Sequence, residues 1–308
     1  MTFITVFNQI AILSLMIIIG YGIKKFDVLN DQLNKGISGL VLKVTLPAMI
    51  IKSMQFEFSR EVLMTSFKMI LLSLLVHGLA IGISYIVYKY YKKDGPEGDV
   101  IQFILVFSNV GYMGYPVIYA IYGDMGVFYA ALFNIPFNVL LWTIGVSIMT
   151  RNSRREKEDV NYLKLIFNPG IIAVVLGFGM FLLSIKIPYV IYETLHSVGE
   201  MTVPLSMLVI GAMLGEMPLK EVFNEKRLIS VSIIRLLAIP LIAMLILWGM
   251  GFRGILLGVP VVIAGMPAAA NTAVFATIYD TAPHFASKAV FVTTLLSMIT
   301  IPLLSLLL

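Results

Sequence analysis

The sequence predicts an all-α polytopic membrane protein, and three observations carry that prediction. Of the 308 residues, 59% are hydrophobic and 13% charged, with a mean hydropathy of +0.95. So little charge cannot coat the surface of a soluble domain. The charges also gather in short clusters between long apolar runs, the pattern of a chain that crosses a bilayer repeatedly. Finally, two of those runs, near residues 108–117 and 265–276, are interrupted by glycine, proline and asparagine. A break inside hydrocarbon frees N–H and C=O groups that lipid cannot satisfy, so it calls for a physical reason.

A spanning helix needs about 20 mostly apolar residues. Candidates fall at 4–23, 36–54, 63–88, 100–122, 126–149, 168–187, 197–215, 228–249, 254–279 and 286–307. The first lacks a basic leader and a small-residue cleavage site, and so reads as a span and not as a signal peptide. The third ends in YIVYKYYKK, an aromatic belt with a basic flank, as expected at a membrane interface.

Lysine and arginine set the orientation. The segments following spans 1, 3, 5, 7 and 9 hold fifteen of them: Lys24, Lys25, Lys35, Lys89, Lys92, Lys93, Arg151, Arg154, Arg155, Lys157, Lys164, Lys220, Lys226, Arg227 and Lys288. The opposite side holds four: Lys52, Arg60, Lys186 and Arg253. The positive-inside rule then puts both termini outside a cell membrane. It also assigns the net charge of +5 and the pI near 9.2 to topology, so no nucleic-acid partner is expected. The lipid bilayer is the partner this composition implies.

The longest charged loop falls almost at the midpoint. It divides the chain into a first five-helix repeat at 1–150, a cytoplasmic linker at 151–164 and a second repeat at 165–308. An odd number of spans per half makes the second repeat enter from the opposite side. Two inverted five-helix repeats are an architecture common in secondary transporters. TLPAM at 45–49 and TVPLSM at 202–207 occupy the second span of each half. NVGYMGYP and GMPAAANTAVFA occupy the fourth span of each half, helices 4 and 9 of the chain. Paired interruptions of this kind point to a transporter's binding site.

The chemistry of the interruptions favours an anion. Pro116 and Pro267 lack an N–H and clash with the preceding turn. Gly111 and Gly114 tolerate backbone angles other residues resist. Each span then becomes two half-helices whose N-termini offer positive dipole ends and free amides. Asn109 and Asn271 supply side-chain amides to the same region. Tyr112 beside the first break, and Ala268 in the segment from Pro267 to Asn271, complete the candidate substrate contacts. Accessory candidates are Lys43, His77, Asn134, Asn138 and Arg235. Lys43 and Arg235 lie about two turns from the cytoplasmic end, within partial snorkelling reach. Snorkelling or a structural ion pair competes for them with guidance of an anion. His77 reads as a hydrogen-bonded helix contact before a proton carrier. Asn134 and Asn138 flank Pro136 on one helix face and line a cavity or bond a neighbouring helix.

Several functions lose support. The chain has no cysteine, which excludes disulfides, thiol catalysis and cysteine-held metals. His77, His196 and His284 form no local metal motif. The acids lie in loops or at span ends, Glu200 being the one placed to reach inward. A cation exchanger usually buries an acid, and an intramembrane aspartyl protease needs two. No enzyme activity, cofactor or metal is expected, while coupling to a proton or a sodium ion stays open. The rival readings are a sodium-coupled carrier of a sterol-like or vitamin-like solute and a sensor or channel without turnover.

These motifs together resemble the auxin efflux carrier family, which includes plant PIN-type carriers and bacterial carboxylate permeases. The specific strings are N-x-G-x-x-G-x-P from Asn109 to Pro116 and P-x(6)-V-F-A from Pro267 to Ala276. The resemblance implies a fold like that of bile-acid/sodium symporters and sodium/proton antiporters, with broken helices 4 and 9 crossed at their prolines and substrate beside the crossing. It also implies a scaffold of helices 1, 2, 6 and 7 that supports a homodimer. Helices 3–5 and 8–10 would then form a transport domain that moves like an elevator. A small organic anion, either malate- or malonate-like or an aromatic monocarboxylate, would be the substrate. The long central loop of the plant carriers is replaced here by about fifteen residues. Asn271 is not part of the plant motif.

Overall fold

The computed structural model describes residues 3–91, 95–153, 168–216 and 226–308, with side chains from Asn8 onward. The predicted linker from residue 154 on, and Lys92, Lys93, Lys164 and Lys220 among the predicted cytoplasmic charges, lie outside the described residues. Among the described residues all repeating structure is helical, as predicted, and the one extended pairing is a bridge between Ser108 and Ala268.

In chain order the helices are α1 (Phe3–Lys25), α2 (Asp31–Leu40), α3 (Leu46–Ser53), α4 (Arg60–Tyr91), α5 (Pro96–Val106), α6 (Tyr115–Leu140), α7 (Val146–Thr150), α8 (Pro169–Leu182), α9 (Tyr189–Glu200), α10 (Thr202–Gly215), α11 (Lys226–Ile233), α12 (Ile239–Gly249), α13 (Ile255–Ala264), α14 (Asn271–Ile278) and α15 (Pro283–Ser305). Every predicted span contains helix, interrupted within 100–122 and 254–279. Among the described residues, six helical stretches are long and apolar enough to cross a membrane: Asp31–Ser53, Arg60–Tyr91, Val110–Thr150, Tyr189–Gly215, Lys226–Gly249 and Pro283–Ser305. The protein is therefore a polytopic membrane protein. Within Val110–Thr150, Gly123 (φ 62°, ψ −152°) ends one helix and starts the next, a conformation that glycine adopts without a Cβ penalty. It falls between the predicted spans 100–122 and 126–149.

Prolines shape these helices in a way the sequence reading did not foresee. Widened π-helical turns occupy Val41–Thr45, Val110–Gly114, Leu141–Gly145 and Ile234–Ala238. Three of the four end two residues before a proline: Pro47, Pro116 and Pro240. A proline ring collides with the carbonyl four residues back. That carbonyl belongs to Lys43, Tyr112 or Leu236, each inside its widened turn. The extra residue per turn absorbs the clash, and the helix continues. Gly111 and Gly114 therefore sit inside a helical turn, and neither has a positive φ. The expectation that Pro116 and these glycines make the break is corrected: the break precedes them.

The described chain packs as two units. The first comprises Met1–Ile70, Gly111–Ile135 and Leu163–Glu216; the second comprises Leu71–Val110, Pro136–Tyr162 and Met217–Leu308. In the first, α1 and α10 meet nearly backbone to backbone. A Cβ on Gly211 would overlap the carbonyl oxygen of Ile17, and one on Gly20 the carbonyl of Leu208. In lipid, such contact replaces the hydrophobic effect as the force between helices. Gly199 sits against the Met49 backbone and Gly177 against Met54, bringing α9 and α8 onto α3. In the second unit, α13 packs on α12, and α15 packs on α11 and α14.

Polarity is inverted relative to a soluble protein. Large apolar side chains such as Leu15, Leu71, Leu245 and Ile299 point outward, while Ser73, His77, Ser84, Arg235, Thr293 and Ser297 are buried. Hydrocarbon around the molecule explains both.

Gly211→Val should lower the thermal midpoint of the purified protein, with a cost of about 1–3 kcal/mol for forcing extra volume into a tight contact. Differential scanning fluorimetry checks this. Gly179→Val is the control, because a Cβ there meets nothing.

Candidate functional site: a paired helix break

The second unit contains the break. Helix α5 ends at Val106 because Phe107 turns to an extended conformation (φ −102°, ψ 117°). The chain resumes helix at Val110 in the widened turn Val110–Gly114, and regular helix follows from Tyr115. On the other strand of the pair, α13 stops at Ala264, and α14 begins at Asn271. The residue before Pro267 is disfavoured in helical conformation, and Pro267 itself has no N–H to contribute. The two extended segments run antiparallel with Ser108 opposite Ala268. Asn109 N–H donates to Pro267 O at 2.8 Å, and Ala269 N–H donates to Phe107 O at 3.0 Å.

Most freed backbone groups are thereby paired. Phe107 N–H reaches Phe103 O, Val110 N–H reaches Ser108 O, and Gly265 N–H reaches Val261 O. Ala268 N–H donates to the Thr293 hydroxyl at 3.2 Å, and that hydroxyl donates in turn to Ala289 O at 2.8 Å. Thr293 thus supplies an acceptor that the break itself lacks. An aromatic group surrounds the pairing: Phe103 lies 4.7 Å from Phe107, Phe107 lies 5.7 Å from Phe137, and Phe275 lies 5.7 Å from Phe103.

The predicted site residues divide between the two units. Asn109, Pro267, Ala268 and Asn271 belong to the unit that holds the break. Asn109 is 6% exposed, Pro267 and Ala268 are buried, and Asn271 is exposed at the start of α14. Gly111, Tyr112, Gly114 and Pro116 belong to the other unit. There the Tyr112 hydroxyl approaches Ser38 O at 3.5 Å, and the Gly111 Cα faces the Leu42 side chain.

The accessory candidates also separate. Lys43 is exposed, as a snorkelling side chain would be. Asn134 bonds the buried Tyr115 hydroxyl within its unit, while Asn138 is buried in the other. His77 is buried, with Nδ1 2.7 Å from Ser73 O and its ring 5.7 Å from Phe137. A carbonyl accepts only, so Nδ1 carries the proton, and the residue makes the helix contact expected of it. Arg235 departs from expectation. It does not snorkel, and it forms no ion pair among the described residues: it is 1% exposed, and its Nη1 donates to Ala264 O at 2.8 Å.

Sequence reading missed two hydroxyls. Thr293 is one; the other is Thr272, fully buried in the first turn of α14, whose Oγ1 has no partner among the described residues. Threonine is common in membrane helices, where it usually bonds its own backbone, so neither carried a signal until the break was placed. Lys52, counted among the charges on the extracytoplasmic side, is buried in the first unit and paired with Asp124 at 2.8 Å. Tyr119 donates to Glu200 at 2.6 Å in the same cluster. This occupies the one acid that the sequence placed near the interior.

An all-helical membrane protein with two helices interrupted at one antiparallel bridge is the construction of a transporter, where irregular backbone at membrane depth is tolerated only inside protein. The family profile for membrane transport proteins matches residues 5–305. An uncharacterized transporter of Methanocaldococcus jannaschii is 26% identical over 304 residues, covering 96% of both chains. Another, from Methanothermobacter thermautotrophicus, is 26% identical over 291 residues, covering 94% of this chain and 93% of its own. The uncharacterized transporter YfdV of Escherichia coli is 26% identical over 181 residues, 56% of this chain and 57% of its own. The chain belongs to this membrane transport protein family, the auxin efflux carrier-type family that its motifs resemble.

Thr293→Val should leave the Ala268 amide buried without an acceptor and lower stability by about 1–3 kcal/mol. Thr293→Ser should restore the thermal midpoint. Equal midpoints for the valine variant and wild type would remove Thr293 from this role.

Proposed function

We propose that this transporter carries a small organic anion, a malate- or malonate-like dicarboxylate or an aromatic monocarboxylate, by elevator-type alternating access. The observation that carries the reading is the charge balance of the unit holding the break. Within that unit, residues 71–93, 100–110, 226–279 and 281–308 contain no Asp or Glu. The buried ionisable groups described in those stretches are His77 and Arg235, both basic, and the unit's described buried acid, Asp99, is already held by Asn152 and Arg151 in the first turn of α5. Two helical starts flank the bridge, at Val110 and Asn271, and helix starts attract negative charge. Such an interior favours an anion and disfavours a cation.

The elevator reading draws support from the packing. The predicted scaffold helices, at 4–23, 36–54, 168–187 and 197–215, belong to one unit, and the predicted transport helices at 228–249, 254–279 and 286–307 belong to the other, while the remaining predicted transport helices, at 63–88, 100–122 and 126–149, divide between the two units. Two inverted five-helix repeats are supported by the pairing of one break from each half of the chain. Placement in the cell membrane with both termini extracytoplasmic rests on the lysine and arginine count, and a homodimer on the family resemblance. A second reading, sodium-coupled carriage of a sterol-like or vitamin-like solute, is favoured by one observation: the Thr272 hydroxyl, without a partner among the described residues, offers an oxygen ligand beside the break.

Thermal stabilisation against a panel of small mono- and dicarboxylates, with and without sodium, separates the two. A ligand that binds only the folded state raises the midpoint with concentration. The expected outcome is a carboxylate shift without a sodium requirement. Asn109→Ala should weaken that carboxylate by about tenfold or more, the loss of a buried hydrogen bond of roughly 1.4 kcal/mol. Stabilisation by sodium or by a neutral solute alone would favour the second reading.

A further inference from the structure

We infer that Arg235 binds the carboxylate of the transported anion through the edge of its guanidinium formed by Nε and Nη2. The inference rests on the anion reading above and gives it an atomic contact. Arg235 lies in the widened turn Ile234–Ala238, five residues before Pro240, and is 1% exposed. A guanidinium stays charged in proteins, and a buried charge without compensation is costly.

The compensation in place is partial. Nη1 donates to the carbonyl of Ala264, the last residue of α13, where helix carbonyls are left without intrahelical partners and carry partial negative charge. That bond fixes the guanidinium at the helix end that opens into the break. Nε and Nη2 have no hydrogen-bond partner among the described residues. These two nitrogens share one edge of the planar group, with parallel N–H bonds spaced to fit the two oxygens of a carboxylate. Capping one carbonyl would use a single donor; the opposite edge is surplus to that role.

Among the described residues, no acid of the same unit fills the edge from within. Glu97 pairs with Arg227 at 2.8 Å, and Asp99 is held by Asn152 at 2.9 Å with Arg151 at 3.6 Å. Asp280 lies at the far end of α14, after Tyr279. His77 is near enough to feel the Arg235 charge, but it is basic and bonded to Ser73, so it supplies no negative charge. An incoming carboxylate would provide what the protein does not: a planar anion with two acceptors. With the edge closed to solvent, an anion bound there is occluded, and the alternating-access movement is what must open it.

The test uses the full-length protein with malonate and 4-bromobenzoate as probes. Thermal stabilisation is titrated in wild type, Arg235→Lys and Arg235→Met, with the midpoint of each without probe reporting that it is folded. Wild type should be stabilised by at least one probe. Arg235→Lys, which keeps the charge but loses the two-nitrogen edge, should bind it about tenfold more weakly or worse, and Arg235→Met should not bind it. Undiminished affinity in either folded variant overturns the assignment and leaves the anion reading standing. A wild type stabilised by neither probe overturns the anion reading and this assignment with it. If neither variant folds, a structure of wild type with the stabilising probe decides. Its carboxylate on Nε and Nη2 of Arg235 supports the assignment, and its binding elsewhere overturns it.

Discussion

The structure depends on one constraint: a backbone group freed inside hydrocarbon must find a protein partner. Helices meet the constraint by themselves, which is why the described chain is helical almost throughout. At residues 107–109 and 265–270 the helices stop, and a single antiparallel bridge closes the account. Asn109 donates to Pro267 and Ala269 donates to Phe107. Pro267 is well suited to the pairing because it accepts through its carbonyl and has no N–H to satisfy. Each break supplies acceptors and donors for the other, so neither would be stable alone. Thr293 extends the same logic by giving Ala268 an acceptor from a third element, α15.

The remaining prolines obey the constraint differently. Pro47, Pro116 and Pro240 follow widened turns that move the clashing carbonyl aside without stopping the helix. Those turns re-aim the residues they contain. In one of them Arg235 is directed into the protein, where it bonds the end of α13, and in another Lys43 stays exposed. Similar sequence contexts, a basic residue four or five positions before a proline, thus give opposite environments. Local spacing does not decide between them, because burial is set by which helices pack on each face.

Charge follows the same division. Acids sit near helix ends where they are paired, as in Lys52 with Asp124 and Arg227 with Glu97. Among the described residues, the interior of the unit that holds the break keeps two basic groups, His77 and Arg235, and one acid, Asp99, which sits in the first turn of α5 and is held there by Asn152 and Arg151. A transporter that must release what it binds gains from such an arrangement. Under the anion reading proposed above, part of the compensation for the buried charge would be left to the solute, with the helix ends supplying the rest without becoming a permanent counter-ion.

The sequence by itself determined the membrane class, the helical fold and the two regions in which helix is interrupted. Length and hydropathy settle these locally. It also showed a polar interior poor in acid, because charge content needs no coordinates. The tertiary structure decided where the first break lies, since Phe107–Asn109 contains neither glycine nor proline and is extended only because Pro267 and Ala269 are there to pair with it. It decided that Asn109 is buried while Asn271 is exposed, and that Tyr112 and Asn109, three residues apart, belong to different packed units. It also decided that Thr272, Thr293 and Arg235 face the protein interior. Each of these depends on partners distant in the chain, and a hydrogen bond between distant residues leaves no periodicity for a sequence to display.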